Sequence, residues 1–199
     1  MAAGEADPPP RIDWIPATDL ADGPGGRIGM TVLPGKRGAS MRYPGRVYRA
    51  DLATDVSALH EAGVGRLVLL VDDTELGRWG DPAIVERAAD AGLEVVRWPM
   101  PDGGTPADQR GMDAILASIT EARERGDVAV ACMGGVGRTG MVVACALVDG
   151  GWTAEAAIAR VRQVRHPTAV ETAEQERFVH DRERKYQRES GGSSPKVAR

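Results

Sequence analysis

Residues 128–148 read VAVAC, then MGGVGRTG, then MVVACALV: an apolar run, a glycine-rich turn, and a second apolar run long enough for a helix. The first run does not alternate apolar with polar side chains. It therefore predicts a strand buried on both faces, which requires helices above and below the sheet. A second run of this kind, RLVLLV at 66–71, makes the same demand. The chain is constrained to an α/β fold with a central, mostly parallel sheet flanked by helices.

The remaining punctuation fits that class. Strands are predicted over 27–33, 46–49, 65–71, 93–98 and 128–132. Asp81 and Pro82 read as the cap and first residue of a helix that Gly92 closes. Thr105 and Pro106 read as the start of the next, where Met112, Ile115, Leu116 and Ile119 form an i, i+3, i+4, i+7 stripe ahead of Gly126. Three more helices are expected from near Arg138, Ala154 and Ala173. With 199 residues, 42% of them hydrophobic and 27% charged, the chain suits a single domain, taken as 13–189. The Pro-, Gly-, Ser- and charge-rich segments 1–12 and 190–199 read as disordered tails.

Charge and cysteine use narrow the function classes. A net charge of −4 lacks the broad basic footprint of a nucleic-acid binder, although a local anion pocket is compatible with it. No apolar run approaches the roughly 18 to 20 residues of a membrane span, and the acidic, proline-rich start is unlike a leader. These features predict a cytoplasmic monomer with neither nucleic-acid nor membrane partners. Cys132 and Cys145 have no C-x-x-C spacing and read as reduced thiols. His60, His166 and His180 are isolated, so no metal and no other cofactor is expected. The abundance of Ala, Gly and Arg resembles the bias of a GC-rich bacterial genome.

The strand–turn–helix carries the chemistry. Cys132 stands where the strand ends, facing a turn of Met133, Gly134, Gly135, Val136 and Gly137 and the N-terminus of the following helix. Backbone N–H groups of such a turn converge on an anion, and the helix dipole adds partial positive charge. The same field, with an arginine nearby, favours the thiolate and so makes Cys132 a nucleophile. Arg138, six residues on, can hold two phosphoryl oxygens in its planar fork. Thr139 can donate its hydroxyl to the sulfur.

CMGGVGRT resembles the C-x5-R-[ST] loop of the protein tyrosine and dual-specificity phosphatases. RIGMTVLPG, DVSALHEAGVGRLVLLVDDTELGRW, PMPDGGTPAD and AVETAEQ follow, in order, segments of the kinase-associated phosphatase (cyclin-dependent kinase inhibitor 3) branch, a likeness covering about residues 26–185. The resemblance implies hydrolysis of a phosphorylated protein through a cysteinyl phosphate. It implies Asp102 as general acid and then base, on a loop that Gly103 and Gly104 hinge, and Gln175 as the residue that positions water. It also implies that Met133 to Arg138 bind the phosphate without a metal. Ala131 departs from the pattern, which has a histidine directly before the cysteine.

Each role has a plainer competitor. Cys145 lies inside the apolar helix and reads as core. Asp102-Gly103 is also an ordinary turn pair. Asp108, three residues after Thr105, and Gln175, three after Thr172, both fit capping boxes. A phosphoinositide or RNA 5′-phosphatase shares the loop, yet the uncharged Met133 to Val136 suit a protein substrate better than a polyanion. A phosphate-binding pseudophosphatase would lack the nucleophile, the arginine or the acid, and all three stand in the sequence.

Overall fold

The computed structural model describes residues 6–20 and 25–190. In chain order these form β1 (Asp13–Ile15), β2 (Ile28–Val32), a hairpin of β3 (Arg37–Ala39) and β4 (Val47–Arg49), α1 (Leu52–Glu61), β5 (Val64–Leu69), α2 (Asp73–Trp79) and α3 (Ile84–Asp90). They continue with β6 (Glu94–Arg97), α4 (Gln109–Arg123), β7 (Asp127–Cys132), α5 (Gly137–Asp149), α6 (Ala154–Val164) and α7 (Ala173–Glu189).

The central sheet runs β1-β2-β7-β5-β6, with β3 and β4 forming a separate two-stranded sheet. β2, β7, β5 and β6 are parallel, and β1 closes one edge antiparallel to β2. The two apolar runs account for its middle. Leu67, Val68 and Leu69 of β5 and Val128, Ala129, Val130 and Ala131 of β7 are all fully buried. α5 packs on β7 and β2 and is itself covered by α4, α6 and α7, while α1 lies on β5 and α3 on β6. Because the four strands are parallel, their C-terminal ends share one edge, the place where α/β sheets bind ligands.

Every predicted strand is present to within a few residues. Two helix starts move. α3 begins at Ile84; Asp81 instead closes a turn ahead of it, its carboxylate accepting the Ala83 N–H at 2.9 Å. α4 begins at Gln109, with Asp108 as its N-cap accepting the Gly111 N–H at 2.9 Å. Thr105 caps nothing; its hydroxyl donates to the Pro106 carbonyl at 3.0 Å. For α4 the reason is competition: aspartate is the stronger cap, and the residues before it are tied to the start of α7 as loop. Of the expected tails, 1–5 and 191–199 lie outside the described residues. Asp7 is held against β4, its N–H donating to the Arg49 carbonyl and its carboxylate accepting from the Arg46 side chain at 2.8 Å and the Arg49 N–H at 2.7 Å.

Candidate active site

Cys132 is the last residue of β7, only 3% exposed, and the chain turns through four residues before α5 starts at Gly137. Each carbonyl in that turn has a partner. Lys36 Nζ donates to Met133 O at 3.1 Å. Arg165 donates through Nη2 to Gly134 O at 3.2 Å and through Nε to Gly135 O at 2.8 Å. Val136 O accepts from the N–H groups of Gly140 and Val170 at 3.1 and 3.3 Å. In a trans peptide the N–H points opposite to its C=O. Residues outside the turn thus hold its carbonyls, and the N–H groups that follow them are turned to the inner side, as an anion cradle requires.

Gly135 is obligatory there, and Gly137 sits against the flexible end of a side chain. Gly135 has φ +65°, and a Cβ on it would lie 2.2 Å from Thr31 O. A Cβ on Gly137 would lie 2.6 Å from Glu171 Oε2.

Arg138 is 1% exposed and reaches across the strand ends. Nη1 and Nη2 donate to the two Glu75 oxygens at 2.6 Å each. Nη1 also donates to Met100 O at 3.0 Å, and Nη2 to Asp102 Oδ1 at 3.0 Å. Burial by itself disfavours the guanidinium, but the Glu75 hydrogen bonds, Cys132 and Asp102 outweigh it and push its pKa up, so the cation is firmly held. Glu75 takes the end of the fork formed by Nη1 and Nη2. Asp102 meets the guanidinium at Nη2 alone.

Glu75 is itself fixed at the start of α2 by a reciprocal capping box: its N–H donates to Asp72 Oδ1 at 2.8 Å, and its carboxylate accepts the Asp72 N–H at 3.2 Å.

Asp102 lies on the loop after β6 with its side chain 83% exposed. The start of α7 holds that loop through three bonds, Thr172 Oγ1 to Gly103 O at 3.0 Å, Gln175 Nε2 to Gly104 O at 3.1 Å and Thr105 Oγ1 to Glu174 Oε1 at 3.4 Å. Gln175 is fully buried, and its Oε1 accepts the Glu171 N–H at 3.0 Å. Thr172 caps α7 as expected, accepting from Gln175 N, but the Gln175 side chain does not return the bond to Thr172. It spans instead from the acid loop to the cysteine loop, since a Cβ on Gly137 would lie 3.2 Å from its Oε1. Val170, a β-branched residue at φ 61°, makes the sharp turn that leads to Glu171, a strain of on the order of 1–3 kcal/mol. Thr139 is fully buried on the first turn of α5, and its hydroxyl has no hydrogen-bond partner among the described residues.

The fold therefore gathers Cys132, Arg138, Asp102, Thr139 and Gln175 at one edge of the sheet. Asp108 is accounted for as a cap. Cys145 is buried inside α5, and burial pushes its thiol pKa up, so it takes no part. Three contributors went unread in the sequence: Glu75, Lys36 and Arg165. Only Glu75 had a local signal, the Asp72-x-x-Glu75 capping box. Lys36 is half-buried; burial pushes its ammonium pKa down against the opposing pull of Cys132 and Asp102.

A parallel sheet whose middle strand ends in a cysteine, a glycine turn and an inward arginine at a helix start defines a cysteine-type phosphatase. The chain belongs to the family described as "Polymorphic toxin system, DSP-PTPase phosphatase", which matches residues 39–152, and it is a phosphatase of the protein tyrosine and dual-specificity class. It is 24% identical over 181 residues to cyclin-dependent kinase inhibitor 3 of Rattus norvegicus, covering 90% of this chain and 81% of that protein. It is 37% identical over 118 residues to protein tyrosine phosphatase type IVA 2 of Mus musculus, covering 58% of this chain and 66% of that protein. Kinase associated phosphatase, solved with its catalytic-site cysteine changed to serine, shares the fold at a TM-score of 0.76 and 23% identity, over 89% of this chain and 96% of that one. Tk-PTP in its active form superposes at 0.64 with 28% identity, over 83% and 97%.

Proposed function

We propose that this phosphatase hydrolyses phosphomonoesters on proteins, with tyrosine or dual specificity, by two displacements at phosphorus. The observation that carries the reading is Arg138: buried and locked by Glu75 at one end of its fork, it meets the Asp102 carboxylate at Nη2. A phosphoryl group on the Nε–Nη2 side would displace Asp102 from Nη2 and free it for proton transfer.

In the first displacement the Cys132 thiolate attacks phosphorus, the bond to the leaving oxygen breaks, and Asp102 delivers its proton to that oxygen. In the second, Asp102 takes a proton from water, the new oxygen–phosphorus bond forms, and the sulfur–phosphorus bond breaks. Inorganic phosphate leaves and the thiolate is restored. The loop N–H groups and Arg138 neutralise the equatorial oxygens throughout. Thr139, whose buried hydroxyl has no hydrogen-bond partner among the described residues, donates to the departing sulfur. Gln175, placed between the two loops, orients the water.

Uncharged Met133 to Val136 support a protein substrate over a polyanionic lipid headgroup or RNA end. Both cysteines are free, which suits a reducing compartment such as the cytoplasm. Initial rates on phosphotyrosine and phosphothreonine peptides, a phosphoinositide and an RNA 5′-triphosphate, all with chelator, test the assignment. Peptide turnover is expected; hydrolysis of the lipid or RNA alone would overturn it.

A further inference from the structure

The β3–β4 hairpin stands apart from the rest of the molecule in charge and exposure. Residues 36–49, KRGASMRYPGRVYR, carry Lys36, Arg37, Arg42, Arg46 and Arg49 and no carboxylate, in a chain whose net charge is −4. Most of the hairpin side chains are exposed. Among the described residues the exposed large hydrophobic side chains are Met41 at 80%, Tyr43 at 50%, Val47 and Val85, and only Val85 lies elsewhere. A tip that mixes apolar side chains with cations is the composition of a contact surface rather than of a solvated turn.

The surface adjoins the site on two sides. At the base, Lys36 Nζ holds Met133 O of the cysteine loop and lies 4.0 Å from the centre of the Tyr48 ring; the Arg46 guanidinium lies 5.2 Å from the same ring. At the tip, Arg42 pairs with Glu171 and donates to Thr168 at 3.1 Å, bridging the hairpin to the segment beside Gly137. Within the molecule, Asp7 pairs with Arg46, and Asp51, under Arg37's influence, is committed to capping α1. Arg37 and Arg49 face each other directly across the two strands. Like charges so placed cost stability, and an external anion would relieve them.

We propose that this hairpin is the docking face for a phosphorylated protein segment whose phosphoresidue is flanked by Asp or Glu. The inference rests on the protein-phosphatase reading: the phosphate occupies the Cys132–Arg138 loop, the acidic flank lies along Arg37, Arg46 and Arg49, and apolar side chains of the substrate meet Met41 and Tyr43. Contacts of this kind act mainly through encounter and orientation, so they are expressed in kcat/KM and weaken as salt rises.

The test uses two phosphopeptides identical except for Glu or Gln at the flanking positions, with p-nitrophenyl phosphate as a substrate that has no flank. The wild type is expected to favour the Glu peptide by about tenfold in kcat/KM at low salt. The triple variant Arg37→Ser, Arg46→Ser, Arg49→Ser is expected to lose that preference to within about twofold while turning over p-nitrophenyl phosphate as before. Its folding is checked by a circular-dichroism spectrum matching the wild type and a single cooperative thermal transition, and a second variant, Tyr43→Ala, is expected to weaken both peptides together without touching p-nitrophenyl phosphate. Equal wild-type rates on the two peptides, or a preference that survives in the triple variant, overturn the docking face and leave the protein-phosphatase reading standing. Turnover of p-nitrophenyl phosphate but of neither peptide overturns both. Hairpin-dependent binding to phosphatidylserine vesicles, with no discrimination between peptides, would assign the surface to lipid and overturn the proposal.

Discussion

Arg138 Nη2 donates to Glu75 and to Asp102 at once, and the proposed chemistry turns on that meeting. An ammonium has neither the reach nor the planar fork to serve both carboxylates and a phosphate. Arg138→Lys is accordingly expected to lower kcat/KM by at least about 10²-fold, read from initial rates. Asp102→Ala is expected to lower kcat by about 10²-fold or more with KM little changed, and to flatten the limb of the pH profile that needs the acid. Asp108→Ala is expected instead to cost on the order of 1 kcal/mol of stability with kcat intact, as a lost cap does. A dead Asp108→Ala beside a near-normal Asp102→Ala would mean that the wrong carboxylate has been assigned. Cys132, Arg138 and Thr139 were legible in the sequence because they share one short loop, and Asp102 because its segment resembles known relatives. Glu75 was not, since a carboxylate 63 residues from its arginine acquires meaning only when two strand ends are brought together. Lys36 and Arg165 escaped for the same reason: each serves the loop by holding one of its carbonyls, and nothing local marks that duty.

Among the elements, α1 matters to the site through Asp55. Its carboxylate is buried beneath the turn that carries Lys36 and accepts the Gly35 N–H at 2.8 Å, while its other oxygen has no hydrogen-bond partner among the described residues. Burial raises its pKa to about 6, against the favourable Gly35 bond. With the folded value above the ordinary 3.8, the folded state binds the proton more tightly. Stability is therefore gained as pH falls from about 6 toward 3.8 and lost as pH rises through 6. Asp55→Asn keeps an acceptor for Gly35 and removes the buried charge. It is expected to raise stability by on the order of 2 kcal/mol at neutral pH, with the gain disappearing below about pH 4, as read from urea midpoints across pH. No gain at neutral pH would contradict the burial argument. The helix α1 itself was not read from the sequence, nor was α2, whose seven residues are mostly polar. β1 and β3, three residues each, are too short to show a period. The longer elements were legible because apolar runs and stripes persist over them, whereas the start of α4 moved because Asp108 competes with Thr105 as the cap.

At the scale of the whole molecule, the parallel order β2-β7-β5-β6 does the assembling. It sets the cysteine loop after β7, the Glu75 helix after β5 and the acid loop after β6 at one edge, and α7 ties the first and last together through Gln175. Most of that edge is rigid core: α5, which carries Arg138 and Thr139, is buried along nearly its whole length. A phosphate held by loop amides and a locked arginine needs such a frame, and it should survive loss of the nucleophile. Cys132→Ser is thus expected to bind vanadate or phosphate while losing turnover. The most direct test of the account is rapid acid quench of the wild type during turnover of a phosphopeptide, followed by mass spectrometry of its peptides. A single phosphoryl group on Cys132, formed and lost within the catalytic cycle and absent from Cys132→Ser, is the predicted result. Turnover without phosphorylated Cys132, or a Cys132→Ser variant that keeps about a tenth of the wild-type rate, would contradict it.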